Sequence, residues 1–343
     1  MTESTFVDAC RRRQVDHTPV WFMRQAGRYL PSYRKLRTTK GILEIAKDPE
    51  LASDVTVDPV KRLGVDAAVM FADIMLPLEG VGVKFRIEEN LGPVIQNPVR
   101  TMEDVDALSE FDPDRHVGNV LGTIRLAVKK LRGTPLVGFS GAPFTLASYL
   151  IEGSPTRDFQ KTKSLMYREP DVWRSLMSRL TKLVAVYLRA QIRDGVSAAQ
   201  LFDSWVGCLS PEDYRTFAMP YTKEIFGAVG RKVPTIHFCA NSGTLVEPFA
   251  LTGPDVLSVD WRVPIGTVWE RTGGTKGVQG NLDPAAAAAG GKVMEEGAKR
   301  ILKEAAGRRG HVFNLGHGVL RETPPENLRR LVQLVHAATS KRR

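Results

Sequence analysis

The stretch Pro19–Tyr29, PVWFMRQAGRY, sets an apolar run, Pro19–Met23, directly against a polar turn that contains a glycine. In a doubly wound α/β sheet the first strand usually leads into a GxGxxG phosphate loop. Here FMRQAGRY stands in that place. Seven further apolar runs follow along the chain: Ala67–Phe71, Pro135–Phe139, Ala199–Phe202, Pro234–Phe238, Val256–Val259, Gly277–Gln279 and Val312–Leu315. Each is short and bounded by turn residues, and a stretch that reads as helix comes after it. Continuous apolar runs of this kind suit strands covered on both faces, as in a parallel sheet.

The intervening stretches carry helical patterning. Ser164–Asp194 places Leu165, Trp173, Leu176, Leu180, Leu183, Val184 and Leu188 on one broad apolar stripe. Pro284–Ala306, with its alanine run, is a second helix. Those over Pro211–Val229 and Pro325–Ala338 start at prolines, which a first turn tolerates. Strand–helix alternation from end to end, with no linker, low-complexity segment or repeat, predicts one α/β domain over residues 1–343, a single (β/α)8 TIM-type barrel. A frayed N-terminus and a basic C-terminal tail, loose after His336, would flank it. Gly80–Asn97 is expected to form a hairpin inserted after the second strand, because Val83, Phe85 and Ile87 alternate with polar residues.

Composition narrows the function classes. Of 343 residues 43% are hydrophobic, enough for a large core, and no run of about 18 apolar residues exists to span a membrane. The N-terminal MTESTFVDACRRRQ lacks the apolar segment of a signal peptide. Three cysteines, Cys10, Cys208 and Cys239, are odd in number and far apart, which suits a reducing cytoplasm. The net charge of +10 admits nucleic acid, a membrane surface or a small acidic substrate. No basic stripe interleaved with aromatics and no nucleic-acid motif is present, so neither nucleic acid nor membrane is expected as a partner. Most of the charge reads as solvated surface, with an acidic substrate still compatible.

Polar residues stand where each strand ends, and barrel enzymes build their sites at those ends. After the first strand come Arg24, Gln25, Ala26, Gly27 and Arg28; after the second, Asp73; after the third, GFSGAPFTLASYL with Tyr149 on the helix; after the fourth, Phe202-Asp203-Ser204-Trp205; after the last, Asn314-Leu315-Gly316-His317-Gly318. Arg24 and Arg28 are four apart and on a helical turn would share a face, either as a clamp for carboxylates or as two surface arginines. Asp73 follows a dry run and needs donors or a cation; it could accept N–H bonds from a ligand, act as a base, or pair with an arginine. His317, between two glycines, could face a ligand or bond to backbone. His237-Phe238-Cys239 could turn two ligands to one side of a strand, but zinc needs a third. His17, His116, His311 and His336 carry no readable role.

These residues carry a family resemblance. VWFMRQAGRYLPSYR (Val20–Arg34) resembles the N-terminal signature of the uroporphyrinogen decarboxylases, and the likeness continues through FADIMLPLEGVGVKF, GFSGAPFTLASYLIEG, QLFDSWVGCLSP, QGNLDP and NLGHGV. It runs from about Phe6 to Leu334. The resemblance implies a cytoplasmic, homodimeric (β/α)8 barrel, a carboxy-lyase of porphyrin and haem biosynthesis that needs no metal or organic cofactor. It also implies tetrapyrrole-binding roles for Arg24, Gln25, Ala26, Gly27, Arg28, Asp73, Tyr149, Ser204 and His317, with Asp73 as the catalytic carboxylate and Phe202 facing the substrate. Corrinoid-dependent methyltransferases are similar in fold but use a zinc–thiolate site built on His-x-Cys and a further Cys. This chain has Gly316-His317 where that late cysteine would stand. A non-catalytic tetrapyrrole binder of the same fold is the other alternative.

Overall fold

The structure, a computed structural model, describes residues 4–88 and 91–340. Among the described residues nine strands form: β1 (Ala68–Val69), β2 (Phe85–Glu88), β3 (Gly92–Ile95), β4 (Leu136–Gly141), β5 (Ala198–Asp203), β6 (Thr235–Cys239), β7 (Val256–Val259), β8 (Gly277–Leu282) and β9 (His311–Leu315). Seven of them, in the order β1-β4-β5-β6-β7-β8-β9, make one parallel sheet that curls into a barrel. β2 and β3 form the expected antiparallel hairpin, Phe85 opposite Ile95. Helices cover the outside, and the strands of the parallel sheet are buried almost throughout, apolar side chains predominating with a few polar ones among them.

The first predicted strand did not form as a regular strand. Pro19–Met23 makes one parallel bridge, Val20 to Phe313. It fills the gap between β9 and β1 all the same: Phe313 N donates to Pro19 O at 2.9 Å, and Asp66 N donates to Val20 O at 2.8 Å. Trp21 N also donates to Phe313 O at 3.3 Å, but the other three N–H groups go to side chains. Val20 N donates to Asp66 Oδ2 (2.7 Å), Phe22 N to Gln25 Oε1 (3.0 Å) and Met23 N to Asn314 Oδ1 (3.1 Å). The barrel is therefore closed by a seam of side-chain acceptors where a ladder was expected.

Three helical stretches are broken. Ser164–Asp194 becomes Gln160–Arg168 and Pro170–Arg193, since Glu169 precedes a proline and is turned away from helical backbone. Pro284–Ala306 divides at Gly290 and Gly291, both at positive φ (69° and 53°). Pro211–Val229 passes through a π-helical turn at Tyr214–Ala218 before Pro220. Residues 1–3, where a frayed N-terminus was expected, lie outside the described residues. Ser4 caps the helix Thr5–Cys10 by accepting from Val7 N, and the last helix continues past His336 to Thr339. The basic residues 341–343 lie outside the described residues. Among the described residues no helix is long and apolar enough to cross a membrane.

Inside the barrel, Gln279 Nε2 donates to Gln200 Oε1 (3.0 Å) and Ser258 Oγ (2.9 Å), while Trp21 Nε1 donates to Gln279 Oε1 (2.9 Å). These groups are buried, and pairing them with one another avoids the cost of unpaired burial. Two residues further along β5 the interior turns aromatic: Phe202 meets Phe139 edge-on at 5.4 Å between centroids and Phe238 at 5.6 Å. That aromatic layer is the floor of the barrel mouth.

Candidate active site

The mouth opens at the C-terminal ends of the strands. Phe238 in the floor touches the His317 ring edge-on at 5.7 Å, so the loop after β9 joins the aromatic layer directly. Arg24 leaves the seam at φ 60°, a left-handed conformation, and the segment through Leu30 consists of turns and bends; a helix begins only at Pro31. Arg24 and Arg28 thus do not share a helical face. The left-handed backbone sends Arg24 across the barrel mouth to Gly318, where a Cβ would overlap its Cγ and Cδ. Gly316 is constrained in its turn: a Cβ there would come within 2.6 Å of Trp261 N. The glycines around His317 let the last loop pass under Arg24 and against the loop after β7.

Asp73 stands four residues past β1 and is half-buried, with its Oδ1 accepting from Met75 N at 2.9 Å. Burial raises its carboxyl above the ordinary value, opposed by the Met75 N–H and the Arg24 charge. Among the described residues it forms no ion pair with Arg24, whose charge acts on it from a distance. Tyr149, on the helix Pro143–Glu152, feels both: burial and Asp73 push its phenol up and Arg24 pulls it down, with a net upward shift that keeps the hydroxyl protonated. Its ring lies on Trp205 at 3.8 Å between centroids. Burial and the Arg24 charge lower the His317 imidazole to about 4, leaving it neutral near pH 7. Arg24 thus acts on Asp73, Tyr149 and His317 alike. Ser204 and Ala26 are half-buried.

Gln25 is placed differently. Its side chain is fully buried, with Oε1 taken by Phe22 N and Nε2 donating to Ala67 O at 3.0 Å. Gly27 turns tightly, a Cβ there coming within 2.8 Å of Arg24 O. His237 and Cys239 point from β6 to the helix side: His237 stacks on Phe249 at 4.0 Å, and Cys239 Sγ donates to Ala240 O. Asp203 is on that side too, 3.7 Å from His237 and accepting from Thr145 Oγ1 at 2.9 Å. Strand alternation turned them away from the mouth, and among the described residues no cluster of three metal-ligating groups includes either His237 or Cys239. A cleft of about 820 Å³ on the outer surface, lined by Leu30, Tyr33, Lys61 and Lys130, does not include Asp73.

Two rim residues were assigned no role from sequence. Trp205 adjoins Ser204 and was visible only as an aromatic at a strand end. Arg262 donates to the buried Asp260 Oδ2 at 2.9 Å and covers the Trp261 ring at 4.2 Å. No local pattern marks it, because the course of the loop after β7 depends on its contact with Gly316.

Comparison with known proteins agrees with this architecture. The family model described as uroporphyrinogen decarboxylase (URO-D) matches residues 1–338. The chain is 48% identical to the uroporphyrinogen decarboxylase of Carboxydothermus hydrogenoformans over 98% of its length and 97% of the relative's. It is 49% identical to that of Streptomyces coelicolor, covering 99% and 96%. Among solved structures, a methyltransferase from Methanosarcina mazei superposes with a TM-score of 0.83 at 18% identity, covering 98% of each chain, a likeness of fold alone. On the full-length match and the nearly half-identical relatives, this chain belongs to the uroporphyrinogen decarboxylase family.

Proposed function

We propose that this protein decarboxylates the four acetate side chains of uroporphyrinogen III to give coproporphyrinogen III, in porphyrin and haem biosynthesis. The observation that carries the reading is near-half identity to curated uroporphyrinogen decarboxylases over almost the whole chain, joined by the placement of Arg24 across Gly318 in the loop that carries His317.

The reaction needs an electron sink. Protonating the ring carbon next to the pyrrole nitrogen gives an iminium-like cation. The C–CO₂ bond then breaks, and its electron pair forms an exocyclic double bond and neutralises the nitrogen. Protonation of the exocyclic carbon and loss of the added ring proton restore the pyrrole, now with a methyl group. Each cycle releases one CO₂ and takes up one proton, so the substrate supplies its own sink without metal or organic cofactor. The high-energy species is positive at nitrogen, and a fixed carboxylate stabilises it more than the neutral ground state. Asp73 has that role in this proposal, its second oxygen and exposed edge accepting pyrrole N–H groups. Arg24 and Arg28 grip acetate and propionate carboxylates. Tyr149 donates its hydroxyl, while neutral His317 and Ser204 contact the substrate rim. Ala26 and Gly27 supply backbone, and Gln25 acts through the turn it holds. Phe202 offers its ring to the macrocycle.

We further propose a cytoplasmic homodimer with no nucleic-acid or membrane partner; sedimentation of the purified protein tests the assembly. The activity is tested by anaerobic incubation with uroporphyrinogen III and chromatography of the oxidised porphyrins. Stepwise loss of carboxyl groups down to four is the expected result. Unchanged octacarboxylate with bound ligand would assign the chain to the non-catalytic binders.

A further inference from the structure

At the opposite end of the barrel, ahead of the strands, three groups from distant parts of the chain converge. His17 Nε2 is 2.9 Å from Asp66 Oδ1, and His336 Nε2 is 2.8 Å from Asp66 Oδ2. The two imidazole rings lie 4.4 Å apart at 61°. One ligand atom from each residue falls within 4.8 Å of the other two. We infer that His17, Asp66 and His336 form a binding site for a divalent transition ion of the zinc kind.

The donor set selects the ion. Two imidazole nitrogens and one carboxylate oxygen suit zinc, whereas magnesium and calcium demand oxygen ligands. Zinc bonds of about 2.0–2.2 Å place tetrahedral ligand atoms roughly 3.3 Å apart. The present contacts run to different oxygens, Oδ1 for His17 and Oδ2 for His336, so the side chains must turn slightly to bring both nitrogens and one oxygen to that spacing, starting from within 4.8 Å of one another. The side chains keep 24%, 14% and 28% of their surface exposed for His17, Asp66 and His336, enough to rotate and to admit an ion and a water as fourth ligand. As ligands the two imidazoles would turn their Nε2 lone pairs to the ion, with the ring proton on Nδ1. Asp66 stays anchored by the Val20 N–H, which gives the ion one fixed ligand.

Such an ion would fasten the first and last elements of the barrel. His17 precedes the seam, Asp66 precedes β1, and His336 lies on the last helix, where Thr339 Oγ1 also accepts from Thr18 N at 3.0 Å. An ion that binds only the folded chain raises its melting temperature. All three residues precede their strands or lie on the outer helix, away from Asp73, so turnover should not depend on them.

The test uses the full chain freed of metal with a chelator, then dialysed against zinc chloride, with magnesium chloride as control. Expected are one zinc per chain, a higher melting temperature with zinc than with magnesium, and unchanged turnover. His17→Gln and His336→Gln keep an amide donor for Asp66. Each should weaken zinc binding at least about tenfold, since even losing a ligand's supporting partner costs that much. His336 sits on an outer helix, so its variant decides the matter should His17→Gln fail to fold. Zinc bound equally by the wild type and His336→Gln would place the metal elsewhere, for example on a cysteine, and would overturn the inference. So would no zinc uptake by the wild type.

Discussion

The side chain of Arg24 lies across the Cα of Gly318, with no room between them for a methyl group. The guanidinium that reaches over the mouth is thus held at its stem by the loop that carries His317. Gly318→Ala should leave the fold intact, because the flexible arginine can yield, but should displace its head group. We expect KM to rise on the order of tenfold, with kcat changed much less. Steady-state kinetics check this; an unchanged KM would show that Arg24 does not grip substrate from its present position.

Asp73→Asn keeps the shape at the mouth and removes the charge. If the carboxylate stabilises a cationic intermediate, kcat should fall by about 10²–10³ with the fold preserved. Single-turnover rates measured at saturating substrate separate this from a binding defect. Full turnover in the variant would end the assignment.

The same substitution has an opposite effect on stability. Burial raises the Asp73 carboxyl above its unfolded value, so the folded chain holds this proton more tightly. Stability is then lost as pH rises from the unfolded pKa, about 4, through the folded one. At pH 7 Asp73→Asn should melt on the order of 1–2 °C higher than the wild type, and near pH 3.5 the two should coincide. Thermal melts across that range check the sign.

His317 should titrate near pH 4 by NMR, well below free imidazole, because burial and Arg24 both oppose its charge. An acid limb of activity between pH 5 and 7 would therefore belong to another group. Arg24→Gln removes one of the causes, and the His317 midpoint should move upward in that variant.

Asp66→Ala should cost about 1–3 kcal/mol, since it leaves the Val20 N–H buried without an acceptor. Burial alone would raise the Asp66 carboxyl, but hydrogen bonds from His336 and His17 outweigh it and hold the group below its ordinary value. Its stabilising contribution is complete above about pH 4 and disappears as pH falls through the lowered folded value. Denaturant titrations at pH 7 and pH 3 should show the variant's deficit shrinking at the lower pH.

Much of this was legible because apolar runs and turn residues are local. Seven of the eight predicted runs became strands of one parallel sheet, and the hairpin after the second appeared in place. Pro19–Met23 read as a strand for the same reason. What sequence could not convey is that Asp66, Gln25 and Asn314 would supply its acceptors, Asn314 from 291 residues away. The four-residue spacing of Arg24 and Arg28 suggested a helical turn, and the positive φ at Arg24 has no local marker comparable to a glycine. Asp73 and His317 were visible as polar residues just beyond strand ends, and Tyr149 on the helix after the third predicted strand. His336 carried no sign of its partner Asp66, 270 residues earlier.

The seam has a bearing on assembly. Pro19–Met23 docks on β9, a strand made from nearly the last part of the chain, and Arg24 follows it without a break. Until those two ends of the polypeptide meet, the arginine has no fixed bearing toward Asp73. A nascent or half-open cylinder thus presents no finished receptor for a polyanion, and competence for catalysis arrives together with completion of the ring.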